Sequence, residues 1–310
     1  MSTRRIRIVC ATDLLPRSDA AMLRAGLLAQ QVAADLTLLH VVPSMDPGRA
    51  LEESLHEAQF MLRDRARPPA WPFERLPDTA VRAGSPARLI RDGVAGADLL
   101  VLGPHRRRPL RDALEGTIAE KVLAARACAV LMVRTGATAA YQRVMLALDL
   151  SASSIGAVRA AEELVLPEGA MATIVHADDP PFQGLLDYAD VSDANVVDYI
   201  QGWRSEVRQG LRGLLRRESA DPSRYDVHVE ARSTVRGILR AVDQFGPDLL
   251  VMGTRGGGRL HRALLGSVAN RVVHDVACDV LVVPAGSFPA LRPRAGTMVD
   301  PRRARPDATA

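Results

Sequence analysis

The sequence predicts an α/β protein of two tandem domains, each a doubly wound, parallel, five-stranded sheet. Three observations predict it. The chain repeats itself once, short apolar runs alternate with longer helical stretches, and the runs are apolar at nearly every position. Strands alternating with helical patterns of about 10–15 residues give a parallel sheet covered by helices. Near-continuous apolar runs suit strands buried on both faces.

The repeat fixes the elements in order. Residues 7–13 (RIVCATD) and 143–149 (RVMLALD) are the first strands, and their closing aspartates, Asp13 and Asp149, stand 136 residues apart. Helical stretches follow at 20–33 and 155–166. The second strands, 36–43 (LTLLHVVP) and 172–179 (ATIVHADD), are expected to end at His40 and His176, again 136 apart. A longer helical region, a third strand and another helix come next. The fourth strands, 97–103 (ADLLVLG) and 247–253 (PDLLVMG), are 150 apart, as are the fifth, 127–133 and 277–283. The second copy therefore carries 14 extra residues between its second and third strands. The acidic stretch there, DDPPFQGLLDYADVSDAN, is expected to be a solvated loop or lid. The domains are set at 1–137 and 138–284. Residues 285–310, with four prolines and no apolar period, are expected to form a flexible tail.

Composition narrows the function. With 310 residues, 47% hydrophobic and 25% charged, the chain has room for two cores and is not a disordered or collagen-like sequence. No apolar run approaches the roughly 20 residues that span a membrane, and the start lacks a secretory pattern. Three cysteines make no disulfide framework, so the cytoplasm is the expected compartment. The net charge of +4 is carried almost wholly by arginine, with Lys121 the single lysine. Arg292, Arg294, Arg302, Arg303 and Arg305 read as a solvated tail in preference to a nucleic-acid arm. Aromatics at 4% supply a base-stacking surface poorly, so no nucleic-acid partner is expected, and no membrane.

In open parallel sheets ligands bind beyond the carboxyl ends of the strands. The informative strand end is GTRGGGRLHRALLGS, residues 253–267. Gly253, Gly256 and Gly266 let backbone N–H groups approach a ligand closely. Ser267 is placed to cap the following helix, whose N-terminus attracts anions. Arg255, Arg259 and Arg262 add positive charge. This spacing favours phosphate over an ordinary flexible loop. Asp13 and Asp149 read equally well as ligand contacts or as turn caps. His40 and His176 lack partners at metal-ligand spacing and read as structural. Cys10, Cys128 and Cys278 read as small buried residues. No catalytic residue or metal ligand is assigned. Gly-Lys-Ser/Thr, HExxH and GxSxG are all missing, and no base is poised to activate water.

These residues resemble the universal stress protein family. The resemblance covers nearly the whole chain in two copies and implies the adenine nucleotide α-hydrolase-like fold. It implies ATP, with or without Mg2+, bound through Gly-x2-Gly-x9-Gly-Ser/Thr, which Gly253, Gly256, Gly266 and Ser267 match. Arg255 and Val268 fall beside them. Asp149 falls on the aspartate that contacts the nucleoside, and Ala177 on the backbone contact to adenine. In the first copy Asp13, Val41, Gly103, Gly116 and Thr117 match, but Arg106 replaces the second glycine. Arginine cannot copy a glycine turn without cost, which favours a degenerate site. The opposite reading has Arg106–Arg108 gripping phosphate by charge. The family's Gly-x-Pro turn is present in AGSPARLI (83–90), whereas RSTVRGIL (232–239) has Ser233 and Val235 in place of the Gly and Pro. The resemblance places the fifth strands at the domain contact, making the chain an intrachain pseudo-dimer, with further homodimerisation left open. It implies an ATP-binding stress-response regulator, with at most slow hydrolysis. The alternative is a nucleotide-independent scaffold signalling through a protein partner. An adenylyl-transferring enzyme would need a second substrate pocket.

Overall fold

A computed structural model describes residues 5–43, 49–104, 117–136, 139–181, 192–254 and 266–288. The first half contains β1 (Arg7–Thr12), α1 (Asp19–Gln31), β2 (Asp35–Val42), α2 (Arg49–Arg65), β3 (Asp78–Ala83), α3 (Pro86–Gly93), β4 (Leu99–Leu102), α4 (Ile118–Ala124) and β5 (Ala129–Met132). The second contains β6 (Val144–Ala147), α5 (Ala152–Ala160), β7 (Ala172–Asp178), α6 (Asp193–Glu218), β8 (Tyr225–Ala231), α7 (Thr234–Phe245), β9 (Leu249–Gly253), α8 (Ser267–Asp275) and β10 (Asp279–Val283).

All strands join one ten-stranded sheet in the order β3-β2-β1-β4-β5-β10-β9-β6-β7-β8. Within each half neighbouring strands are parallel, and at the centre β5 and β10 pair antiparallel through Val280 with Met132 and Val282 with Val130. Side chains alternate across the sheet. Ile8, Cys10, Leu99 and Val101 face α1 and α2, while Val9, Ala11 and Leu100 face α3 and α4. Both apolar layers run through the β5–β10 joint without a break, so the two halves share their cores.

One buried carboxylate locks that joint. Asp279 is 0% exposed. Its Oδ1 accepts from the amides of Arg134 (2.7 Å) and Thr135 (3.0 Å) and from the Thr135 hydroxyl (3.0 Å). Its Oδ2 accepts from the Tyr141 hydroxyl at 2.7 Å and lies 3.7 Å from Nε of the buried Arg24. Arg24 also donates to the Ala139 carbonyl at 2.7 Å and lies 3.8 Å from the Tyr141 ring centroid. The Arg134 guanidinium donates to the Val273 and Val276 carbonyls at the end of α8. Burial, then the negative charge of Asp279, pushes the Tyr141 phenol well up.

Several expectations are corrected. His40 and His176 do not end their strands, because β2 and β7 each run two residues further. The second copy's first helix starts at Ala152, earlier than residue 155, and closes in a wide turn in which the Leu166 amide donates to the Ala161 carbonyl at 2.7 Å. The acidic stretch is not wholly loop: from Asp193 it is the start of α6, and residues 182–191 lie outside the described residues. The expected tail begins docked. A turn at Gly286 (φ +81°) buries Phe288, whose carbonyl accepts from Arg159 at 3.3 Å.

Replacing Asp279 with alanine strands the Arg24 charge and four protein donors, two amides and two hydroxyls, in a buried joint. The Asp279→Ala chain is expected to lose about 3–5 kcal/mol of stability, read as a lower urea midpoint.

Candidate functional site

The strand order reverses between β1 and β4 in the first half and between β6 and β9 in the second. Splayed helices leave a crevice at such points, beyond the carboxyl ends of the strands. In the second half Asp149, Ala177 and Gly253 all reach that edge, after β6, within the end of β7 and at the end of β9. The loop leaves at Thr254, whose amide donates to the Val283 carbonyl, and returns at Gly266, whose amide donates to the Thr254 carbonyl (both 3.0 Å). That bond closes the loop at its base and aims the start of α8, with Ser267 and Val268, at the same crevice. Arg255, Gly256, Arg259 and Arg262 lie outside the described residues, as do Arg106–Arg108, Gly116 and the arginines of the tail.

Equivalent histidines hold both strand ends in shape. His40 Nδ1 meets the Thr12 carbonyl at 2.8 Å, and His176 Nδ1 meets the Leu148 carbonyl at 2.9 Å. A carbonyl only accepts, so Nδ1 carries the proton in both rings. Each clamp fixes the residue just before the strand-end aspartate.

The aspartates themselves differ. Asp149 Oδ1 accepts from the Ser151 amide (3.0 Å), the Ser151 hydroxyl and the Ser154 hydroxyl (2.8 Å). Its Oδ2 has no partner among the described residues. Asp13 Oδ1 accepts from the Leu15 amide (3.1 Å) and the Ser18 hydroxyl (2.5 Å), and its Oδ2 is taken by the Arg17 guanidinium. Burial disfavours the Asp13 charge, but the Ser18, Leu15 and Arg17 contacts outweigh it and hold the carboxyl below the usual aspartate range. Ser153 stands where the first half has Arg17. Both aspartates are thus turn caps, and among the described residues Asp149 keeps one carboxylate oxygen unbonded while both oxygens of Asp13 are taken.

The helix starts differ as well. Ser267 does not cap α8. It is the first helical residue, Gly266 (φ −55°, ψ 152°) holds the cap position, and among the described residues no side chain caps the end. Thr117 does cap α4. Its hydroxyl accepts from the Glu120 amide at 3.2 Å, while Glu120 Oε2 accepts from the Thr117 amide at 2.6 Å. This reciprocal capping box sets a carboxylate over the helix N-terminus. The sequence signal, Thr-x-x-Glu, was present in TIAE; the second half has Asn270 instead of Glu120.

Two glycines answer to packing. A Cβ on Gly103 would stand 3.3 Å from the Ser18 backbone, so this glycine admits the start of α1. A Cβ on Gly237 would stand 2.4 Å from the Ala177 Cβ, so α7 seats directly on the end of β7. Gly84 takes φ +139°, which favours glycine, whereas Ser233 holds the position before α7 at φ −50° without a side-chain capping bond. The Gly-to-Ser departure is therefore met by a different turn. Val41 lies buried in β2.

With this arrangement in place, the comparisons with known proteins are decisive. The sequence pattern of the Universal stress protein family matches residues 5–134 and again 140–284. The chain belongs to the universal stress protein family. It is 29% identical over 156 residues to Universal stress protein A of Photorhabdus laumondii, an alignment covering 47% of this chain and 96% of that one. It is 28% identical over 144 residues to Universal stress protein A homolog 1 of Coxiella burnetii, covering 46% and 96%. A universal stress protein from Archaeoglobus fulgidus superposes with a TM-score of 0.65 at 19% identity, over 90% of this chain and 98% of that one. Half-length relatives beside a full-length structural match fit a tandem member. Among the described residues, no helix is long and apolar enough to cross a membrane, and no group of three or more His, Cys, Asp or Glu is placed to hold a metal.

Two outcomes follow from the site. Thr117→Ala should cost about 1 kcal/mol in denaturant unfolding, while Ser267→Ala, which breaks no cap bond, should stay within about 0.5 kcal/mol. Burial pushes the Cys10 and Cys128 thiols up to about 12 and Cys278 to about 11. A small alkylating reagent at mildly alkaline pH should leave all three unmodified in the folded chain and label all three in urea.

Proposed function

We propose that this universal stress protein is an ATP-binding regulatory protein of the stress response that holds its nucleotide in the second domain. The observation that carries this reading is the contrast between the two helix starts. Among the described residues no side chain caps the first turn of α8, whereas α4 is closed by Glu120 and Thr117. An open helix N-terminus offers free N–H groups and partial positive charge to phosphate. Glu120 puts a carboxylate at the equivalent place in the first half, where a phosphate would meet like charge.

The nucleoside end supports the same asymmetry. Asp149 Oδ2 is available to a ribose hydroxyl or an adenine amine, while Asp13 is engaged by Arg17. In this reading Gly253, Gly256, Gly266 and Ser267, with Arg255 and Val268, hold the phosphates, and Asp149 and Ala177 hold the nucleoside. No residue is assigned to activate water, so the nucleotide is held and not rapidly turned over. The closed start of α4 favours a second role for the first half, as a scaffold surface for a protein partner.

Calorimetric titration of the nucleotide-stripped chain with Mg-ATP tests this. One site per chain is expected. Gly256→Arg, which copies the first-half loop, should abolish the heat without changing thermal unfolding. An unchanged dissociation constant in that variant overturns the assignment, and a wild-type chain without heat moves the function to the scaffold.

A further inference from the structure

We propose that Trp203 contacts the base of the nucleotide: α6 carries its indole over His176 near the carboxyl end of β7, where it walls the nucleoside end of the second-domain crevice. The inference rests on the nucleotide reading above. Helix α6 links two parallel strands, so it runs back across the sheet and its N-terminus lies at the carboxyl edge. It has 26 residues, about 39 Å of helix. Strand β7 has 7, about 23 Å. The corresponding first-half helix, α2, has only 17 residues and no tryptophan.

The extra length lies on the ligand side. Val207, Leu211, Leu214 and Leu215 are buried in the core, and all lie in the second half of α6. Residues 193–206 include no buried position. Gly210 registers the helix against the site. The Leu150 methyl carbons lie 3.2 Å from where its Cβ would be, and Leu150 directly follows Asp149. Trp203 is seven residues nearer the N-terminus, two turns and about 10 Å further out, on the same face as Gly210.

The strand ends confirm the level. The Trp203 ring centroid is 6.2 Å from that of His176, which is held to the Leu148 carbonyl. The indole therefore packs over His176 at the edge of the core on the α6 face of the sheet, one residue along β7 from Ala177, whose side chain turns to the other face. The overhang is tied back, because the Tyr199 hydroxyl donates to the Pro181 carbonyl on the chain leaving β7. An indole face at that place offers a purine a stacking surface.

The chain has two tryptophans, which makes the test direct. Trp71 is 2% exposed in the first half and donates to the Arg75 carbonyl at 3.0 Å. A Trp71→Phe chain leaves Trp203 as the single indole reporter. Its fluorescence should respond to ATP and to adenosine, and not to tripolyphosphate. Trp203→Leu keeps an apolar edge against the core. It should raise the calorimetric dissociation constant for ATP roughly tenfold while tripolyphosphate binding is unchanged. ATP heat that is identical in wild type and Trp203→Leu, with no fluorescence response, overturns the inference and leaves the nucleotide reading intact. A lower unliganded melting temperature with an unchanged dissociation constant overturns it too, by reducing Trp203 to a packing residue. No ATP heat in the wild-type chain defeats both.

Discussion

The architecture depends on one buried charge. Asp279 sits in the central strand pair with no exposure and satisfies two amides, a hydroxyl and a phenol while facing a buried arginine. A carboxylate taken fully out of water persists only when its lone pairs are met. Here the partners come from the connection between the halves and from α1. The joint is asymmetric, since Ala129 holds the matching place in the first copy. A contact built from two identical chains would carry the same residue twice. Tandem fusion allows one half to supply the acid and the other half and linker to supply the donors.

The antiparallel β5–β10 pairing has a geometric consequence. Each half is parallel within itself, so the carboxyl ends of the two halves point to opposite edges of the shared sheet. The two crevices therefore do not face one another. Each is free to diverge, and they have diverged in the same sense at both ends. In the first half Glu120 closes the helix start and Arg17 occupies the aspartate, while the second half has Asn270 and Ser153 at those places. The two crevices are linked through the continuous core, the Asp279 joint and further cross-half contacts such as the bond from the Gln31 side-chain amide to the Val165 carbonyl.

Much of this was legible in the chain. The doubled spacing between Asp13 and Asp149 and between the fourth strands gave the two halves, and buried parallel strands announced themselves as unbroken apolar runs. The histidine role was read from a lack of ligand partners, and both rings do bond to backbone. The strand ends were misjudged because a polar residue inside an apolar run looks like a boundary, whereas His40 and His176 turn toward backbone carbonyls and let the strands continue. The α6 extension was misjudged because an acidic, proline-containing segment hides a helix that begins only at Asp193.

By itself the sequence determined the fold class, the repeat and the glycine spacing, because these follow from local periodicity and residue type. Only the tertiary structure decided which partners those residues keep. Whether Asp149 or Asp13 has a spare oxygen, whether Thr117 or Ser267 caps its helix, and where Trp203 lies are set by contacts between segments distant in sequence or by side-chain geometry at a turn. One-dimensional spacing does not encode that geometry, since the same Asp or Ser can satisfy its own backbone or face a ligand.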